Sequence, residues 1–272
     1  MLSEVPPGVD PSTPSPARMY DYMLGGTLSL PVDRAAADRL KALVPDLLDG
    51  VWGNRGFHQR AAVWLAEHGI SQFIDLGSGL PTQNNTHDAV HKVLPGAHVV
   101  YVDNDPVVAA YSSALLAGDG TTTLINADVC DPAAVLGNDA LRALIDLSRP
   151  VGLLMTALLH FVADEADPWN VVRQYAAAIA PGSYLALSHF TADNMPPAQI
   201  EAGVIVYSGT ATGIYPRSRD QVQRFFDGLD LVPPYDGAEP GLSHVGLWGA
   251  EDQQAADTDG ARGLYCGVGR RG

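Results

Sequence analysis

The sequence predicts a Rossmann-like, doubly wound α/β fold: a mostly parallel sheet of about seven strands with helices on both faces, preceded by an N-terminal helical cap. Three observations carry this expectation. From Ile70 onward, runs rich in β-branched and aromatic residues alternate with helical segments, the signature of a parallel sheet. The strand-like runs are bounded by Gly, Pro, Asp or Asn, and several finish on an acid or a histidine. The residues before Ile70 show helical spacing and glycine stops instead.

Residues 1–16, "MLSEVPPGVDPSTPSP", hold five prolines and no long apolar run, and read as a mobile, uncleaved tail. Residues 17–69 form the expected cap or lid. In it, "ARMYDYMLGG" is a short helix closed by a glycine pair. "PVDRAAADRLKALVP" opens with Pro31 and Asp33 and sets Ala36, Leu40, Leu43 and Val44 on one face. "GNRGFHQRAAVWLAEHG" is a third helix, stopping at Gly69.

Residues 70–272 make the main domain. Its strands are expected in "SQFIDLG", "HVVYVDND", "TTTLINAD", "PVGLLMTALL" and "SYLALSHF", with "GLYCGVGR" as a late strand. Helices are expected around Thr82 to Val93, Pro106 to Leu116, Pro132 to Leu147 and Pro168 to Ala180, then in "PPAQIEAGVIVYSG" and "SRDQVQRFF". The stretch from Leu229 to Ala261 is rich in turn residues and yields no firm element.

Composition bounds the function. The formal charge of −15 over 272 residues, with a pI near 4.7, repels phosphate backbones and argues against nucleic acid as a partner. The most apolar run, "VGLLMTALLHFV", is too short for a membrane span, so a cytoplasmic protein is expected. Cys130 and Cys266 suit neither a disulfide framework nor a metal motif. The histidines are scattered; His87 and His91 stand four apart on a helix but read as surface residues, and no metal is expected.

In an open parallel sheet, ligands lie beyond the carboxyl ends of the strands, which here carry Asp75, Asp103, Asp128, His160 and His189. Gly77 and Gly79 in "DLGSG" allow a sharp turn and close approach of a ligand. The G-x-G-x-x-G dinucleotide pattern fails, since its third position is Thr82 behind Pro81. Asp103 is placed to accept both hydroxyls of a ribose, whereas Asp105 fits a helix cap before Pro106. Asp128 is placed to accept from an adenine amino group, with the Val129 N–H beside it. These ends describe a nucleoside site without a phosphate grip, which suits S-adenosylmethionine.

At these residues the sequence resembles the class I methyltransferases. More narrowly it resembles the actinobacterial S-adenosyl methyltransferase family, formerly a domain of unknown function, through "RMYDYMLGG", "NRGFHQRAAVWL", "DLGSGLPT", "HVVYVDNDPVV", "ALLHFVADEADP" and "APGSYLALSH". The resemblance implies that Asp75, Gly77, Ser78 and Gly79 line the methionine end of the cofactor, Asp103 and Asn104 the ribose, and Asp128 with Val129 the adenine. It also implies Tyr22, Gly26 and Arg55 as contacts from the lid. Where the family often has polar residues after its glycine pair, this chain has "TLSL", Thr27 to Leu30.

His160 and His189 are the candidate general bases, their ordinary pKa lying near the working range, although packing against the cofactor or ordering of the loop explains them more readily. The expected activity is methyl transfer from S-adenosylmethionine to a small-molecule acceptor. A non-catalytic S-adenosylmethionine or S-adenosylhomocysteine sensor is the alternative that "TLSL" suggests. A nicotinamide oxidoreductase would need the missing glycine loop.

Overall fold

The structure, a computed structural model, describes residues 9–80, 85–115 and 120–272. Pro81, Thr82 and the expected start of the helix at Thr82 lie outside them.

Among the described residues the sheet has eight strands, against the about seven expected. They are β1 (Gln72–Leu76), β2 (His98–Asp103), β3 (Thr122–Asn126), β4 (Gly152–Thr156), β5 (Tyr184–Phe190), β6 (Asp230–Leu231), β7 (Ser243–His244) and β8 (Leu264–Arg270). Their order is β3-β2-β1-β4-β5-β8-β6, with β7 beside β8. The five strands from β3 to β5 are parallel, and β8 runs antiparallel to β5. The additional strands come from the turn-rich region after Leu229: β6 and β7 are two residues each, too short to leave a pattern in the sequence.

Strand order reverses between β1 and β4, where Ile74 pairs with Val100 on one side and Leu153 on the other. A crevice opens above that point. Alternate residues feed two cores. Ile74, Val100, Leu153 and Leu187 face one cluster, and Phe73, Val99, Leu154 and Ala186 face the other. The second is covered by α3 (Leu47–Glu67), whose Phe57, Ala61 and Leu65 are fully buried and which stops at Gly69, φ +87°.

Before α3 come α1 (Pro16–Met23) and α2 (Pro31–Leu43). Met19 and Met23 of α1 and Ala37 and Leu40 of α2 share a core with Val206 and Tyr207 of a later helix. Leu43, expected on the buried face of α2, is exposed, while Asp33 is fully buried. The face is rotated because Asp33 accepts from Arg18 Nε at 2.7 Å and from the Ser15 N–H at 2.9 Å. Residues 9–16, read as part of a mobile tail, are fastened: Ser15 Oγ donates to Asp105 at 2.5 Å, and the Thr13 carbonyl accepts from Arg18 at 2.8 Å.

The expected helix from Pro132 to Leu147 is two short ones, Pro132–Gly137 and Asp139–Leu144. Asn138 between them takes an extended conformation and caps the second through the Ala140 N–H. The "PVGLLMTALL" strand likewise ends at Thr156, and His160 sits in a following 3-10 turn, Leu159–Phe161. Among the described residues, no helix is long and apolar enough to cross a membrane.

Candidate active site

A cleft of about 1030 Å³ lies over the β1/β4 crevice, under the cap. Of the residues expected at the site, Arg55, Asp75, Gly77, Ser78, Gly79, Asp103, Asn104, Asp128, Val129 and His160 line it. Its volume is at the upper end of the range for small-molecule pockets, roughly 300–1,000 Å³.

The turn after β1 is built for close approach. Gly77 and Gly79 have φ of +67° and +65°, and a Cβ on Gly77 would stand 2.4 Å from Leu158 Cδ1. Ser78 lines the cleft, and among the described residues its buried Oγ has no hydrogen-bond partner. The turn is fastened to β2: the Gly79 N–H donates to Asp103 Oδ2 at 2.8 Å, and the Asp105 N–H to Asp103 Oδ1 at 2.9 Å. Burial raises the Asp103 carboxyl above the usual carboxylate range, against the pull of these amides. Asp105 also accepts from the Val107 N–H at 2.8 Å, the capping contact its position suggested.

Beneath the turn is a chain of hydrogen bonds that the sequence did not reveal. Thr86 Oγ1 donates to Asp75 Oδ2 at 2.5 Å. That hydroxyl therefore accepts from His58 Nε2–H at 2.8 Å, which leaves His58 Nδ1 to accept from Thr156 Oγ1, also at 2.8 Å. Burial pushes the Asp75 carboxyl up to about 7 and the His58 imidazole down to about 3. Both groups thus favour their neutral forms.

His160 and His189 differ in kind. His189 is fully buried and does not line the cleft; its Nδ1–H donates to the Phe190 carbonyl at 2.7 Å and its Nε2 accepts from Arg217 at 2.8 Å. With both nitrogens engaged it has no access to an acceptor, so the expected base role falls away. His160 lines the cleft, but its Nδ1 accepts from the Phe190 N–H at 3.2 Å, so Nε2 carries the proton. Burial, helped by His189 and Arg217, holds its pKa well below the ordinary histidine range. As arranged, it is a neutral hydrogen-bond donor rather than a base.

Two lid expectations are also displaced. Tyr22 does not line the cleft; its hydroxyl donates to Asp38 at 3.1 Å and Lys41 lies over its ring. Gly26 is absent from the cleft wall as well, and its lack of a Cβ serves the Asp21 carboxylate, whose oxygen would be 2.0 Å away from one. The "TLSL" segment faces elsewhere: Leu28 packs with Leu80, Val107 and Val108, and Leu30 is buried. Its aliphatic character seals a seam between cap and sheet and leaves the cleft wall unchanged.

Arg217 holds the wall after β4. It is 2% exposed, and its guanidinium donates to the Leu159 and Val162 carbonyls, to His189 Nε2 and to Asp164. Arg217→Lys is expected to cost about 2–4 kcal/mol, because an ammonium cannot replace that fork and leaves buried acceptors unpaired. The urea midpoint of unfolding measures it. One further position in this wall, Ala157, has φ +51° without being glycine; it is held by donation of its N–H to Ser188 Oγ at 2.9 Å.

The S-adenosyl methyltransferase family matches residues 3–272. The chain belongs to this family. Its fold is that of methyltransferases, and its cofactor is S-adenosylmethionine, the methyl donor of the family. A candidate methyltransferase from Thermobifida fusca YX is 38% identical, with a TM-score of 0.90 over 99% of each chain. A DUF574 family protein from Streptomyces avermitilis MA-4680 is also 38% identical, with a TM-score of 0.89 over 97% of this chain and 99% of its own. An O-methyltransferase family protein from Burkholderia thailandensis shares the fold at 15% identity and a TM-score of 0.52, over 82% of this chain and 59% of its own. No curated protein matches the chain.

Proposed function

We propose that this family member transfers the methyl group of S-adenosylmethionine to a small-molecule acceptor held in the apolar end of the same cleft. The continuity of the cleft carries this reading. One cavity runs from Asp103 and Asp128 past Gly77 to a wall of Val51, Phe161, Met195, Tyr207 and Ile214. The polar end suits a nucleoside and the apolar end a second, largely apolar molecule.

The ribose falls to Asp103 with Asn104, the adenine to Asp128 and Val129, and the methionine end to Asp75, Gly77, Ser78 and Gly79. Bound there, the cofactor supplies a methyl group already activated on a sulfonium. The residues' task is then alignment and exclusion of water rather than proton removal. His160 fits this division, since its Nε2–H can hold an acceptor oxygen or nitrogen by hydrogen bond without taking a proton. The net charge of −15 supports a small molecule over nucleic acid, and the two unpaired cysteines suit the cytoplasm.

The test is transfer of radiolabel from methyl-labelled S-adenosylmethionine into a fractionated cell extract containing both metabolites and macromolecules. Label appearing in the low-mass fraction is the expected result. Label confined to protein or nucleic acid, or no transfer at all, overturns the reading.

A further inference from the structure

Asp21 lies in the lid helix α1 and lines the cleft, yet is only 2% exposed. Its backbone carbonyl accepts from the Gly26 N–H at 2.8 Å, and its Oδ2 accepts from the Leu28 N–H at 2.9 Å. Those bonds close the loop after α1 around the carboxylate, which occupies the space that a Cβ of Gly26 would need. No ion pair joins it to any Lys, Arg or His among the described residues. The nearest candidate on its own helix, Arg18, is committed to Asp33 and to Asp105. Among the described residues Oδ1 has no hydrogen-bond partner; it keeps some accessible surface, and Asp21 lines the cleft, so this oxygen opens onto it. Burial raises its pKa and no neighbouring charge offsets that. An ionised carboxylate held this way is costly unless a cation reaches it.

We propose that Asp21 is a cation subsite of the cleft, which receives an ammonium group when the cleft is filled. The inference rests on the cofactor reading above. Two molecules could bring that chemistry: the α-ammonium of the cofactor's methionine end, or a protonated amine on the methyl acceptor. The lid location gives the contact a second consequence. A cation drawn to Asp21 fastens α1 and the Gly26–Leu28 turn over the bound molecules, so occupancy and closure of the cap are coupled.

Asp21→Asn is the variant of choice, because the amide oxygen still accepts from the Leu28 N–H while the charge is lost. Affinities for S-adenosylhomocysteine and for 5′-methylthioadenosine, which lacks the aminocarboxylate end, are measured by calorimetry together with the melting temperature. If the ammonium is the cofactor's, S-adenosylhomocysteine weakens by about tenfold or more, 5′-methylthioadenosine binds as before, and the melting temperature of the free protein does not fall. If it is the acceptor's, both nucleosides bind as before. Phenethylamine then stabilises S-adenosylhomocysteine-saturated wild type more than 2-phenylethanol does, and the difference disappears in the variant. Unchanged nucleoside affinities with no amine-selective stabilisation of wild type overturn the inference. So does a uniform fall in all affinities with a lower melting temperature, which would mark Asp21 as structural. Wild-type protein that binds neither nucleoside overturns the cofactor reading and this inference with it.

Discussion

Asp103→Asn is expected to weaken S-adenosylhomocysteine binding by at least about 100-fold, since two hydrogen bonds to a charged acceptor at roughly 1.5–3 kcal/mol each amount to about 3 kcal/mol or more. The carboxylate ends β2, where the register places it beside Asn126 of β3, and it is 8% exposed at the cleft wall. It already accepts the Gly79 and Asp105 amides, one from the turn after β1 and one from the start of the next helix. Each oxygen keeps a second lone pair, so the same two oxygens can accept ribose hydroxyls while the amides fix their direction. The asparagine side chain presents one oxygen and one NH2. It repels one of the two amides and offers a donor where a hydroxyl must donate. The melting temperature of the free protein is expected to change little, since the variant also removes a buried charge whose desolvation opposes folding. Calorimetric titration reads the affinity directly. Binding within threefold of wild type would show that the ribose lies elsewhere.

The parts of this site that were legible in the sequence are those made locally. Asp75, Gly77, Gly79 and Asp103 sit at strand ends or in the turn that follows, where the strand pattern itself fixes their direction. Asp128 and Val129 follow β3 by the same logic. What escaped notice is made by long-range pairing. His58 comes from the middle of α3, Thr86 from the start of the helix after β1, and Thr156 from the end of β4. In sequence each looks like an ordinary polar residue on a helix or strand, and only the fold makes them one chain of hydrogen bonds. Asp33 and Asp21 were missed for a related reason. A buried acid on a lid helix has the same letter as a solvated one, and hydrophobic spacing assigns it to the outside. That is also why the buried face of α2 was placed on Leu43. His160 and His189 show the opposite limit: their positions near the strand ends were legible, but the direction of each ring nitrogen depends on Phe190 and Arg217, and that direction decides whether a base is available.

The His58 and Asp75 pair is expected to give two variants with opposite dependence of stability on pH. Burial raises the folded pKa of Asp75 to about 7, against an ordinary value of 3.8. Its contribution to stability is therefore fully present below about 4 and is lost as pH rises through 7. His58 has a folded pKa lowered to about 3, against 6.5. Its contribution is present above about 6.5 and is lost as pH falls through 3. Between about pH 4 and 6.5 the folded protein holds one more proton than the unfolded chain at Asp75 and one fewer at His58, so the two slopes cancel in the wild type. Removing one member exposes the other. Relative to wild type, Asp75→Asn should gain stability as pH rises through this window, and His58→Gln should lose it, each by roughly 3 kcal/mol across the window at about 1.4 kcal/mol per unit. Urea unfolding at pH 4.5, 5.5 and 6.5 separates them, with the wild-type curve as reference at each pH. Parallel curves for the two variants would mean that the chain from Thr156 to Asp75 carries charge in the folded state. Opposite slopes would establish it as a neutral scaffold, with the Asp75 carboxyl kept close to its titration point and ready to ionise when the cationic cofactor arrives. Linkage then requires that the cofactor release a proton on binding near pH 6, and that S-adenosylmethionine, with its sulfonium, release more than S-adenosylhomocysteine.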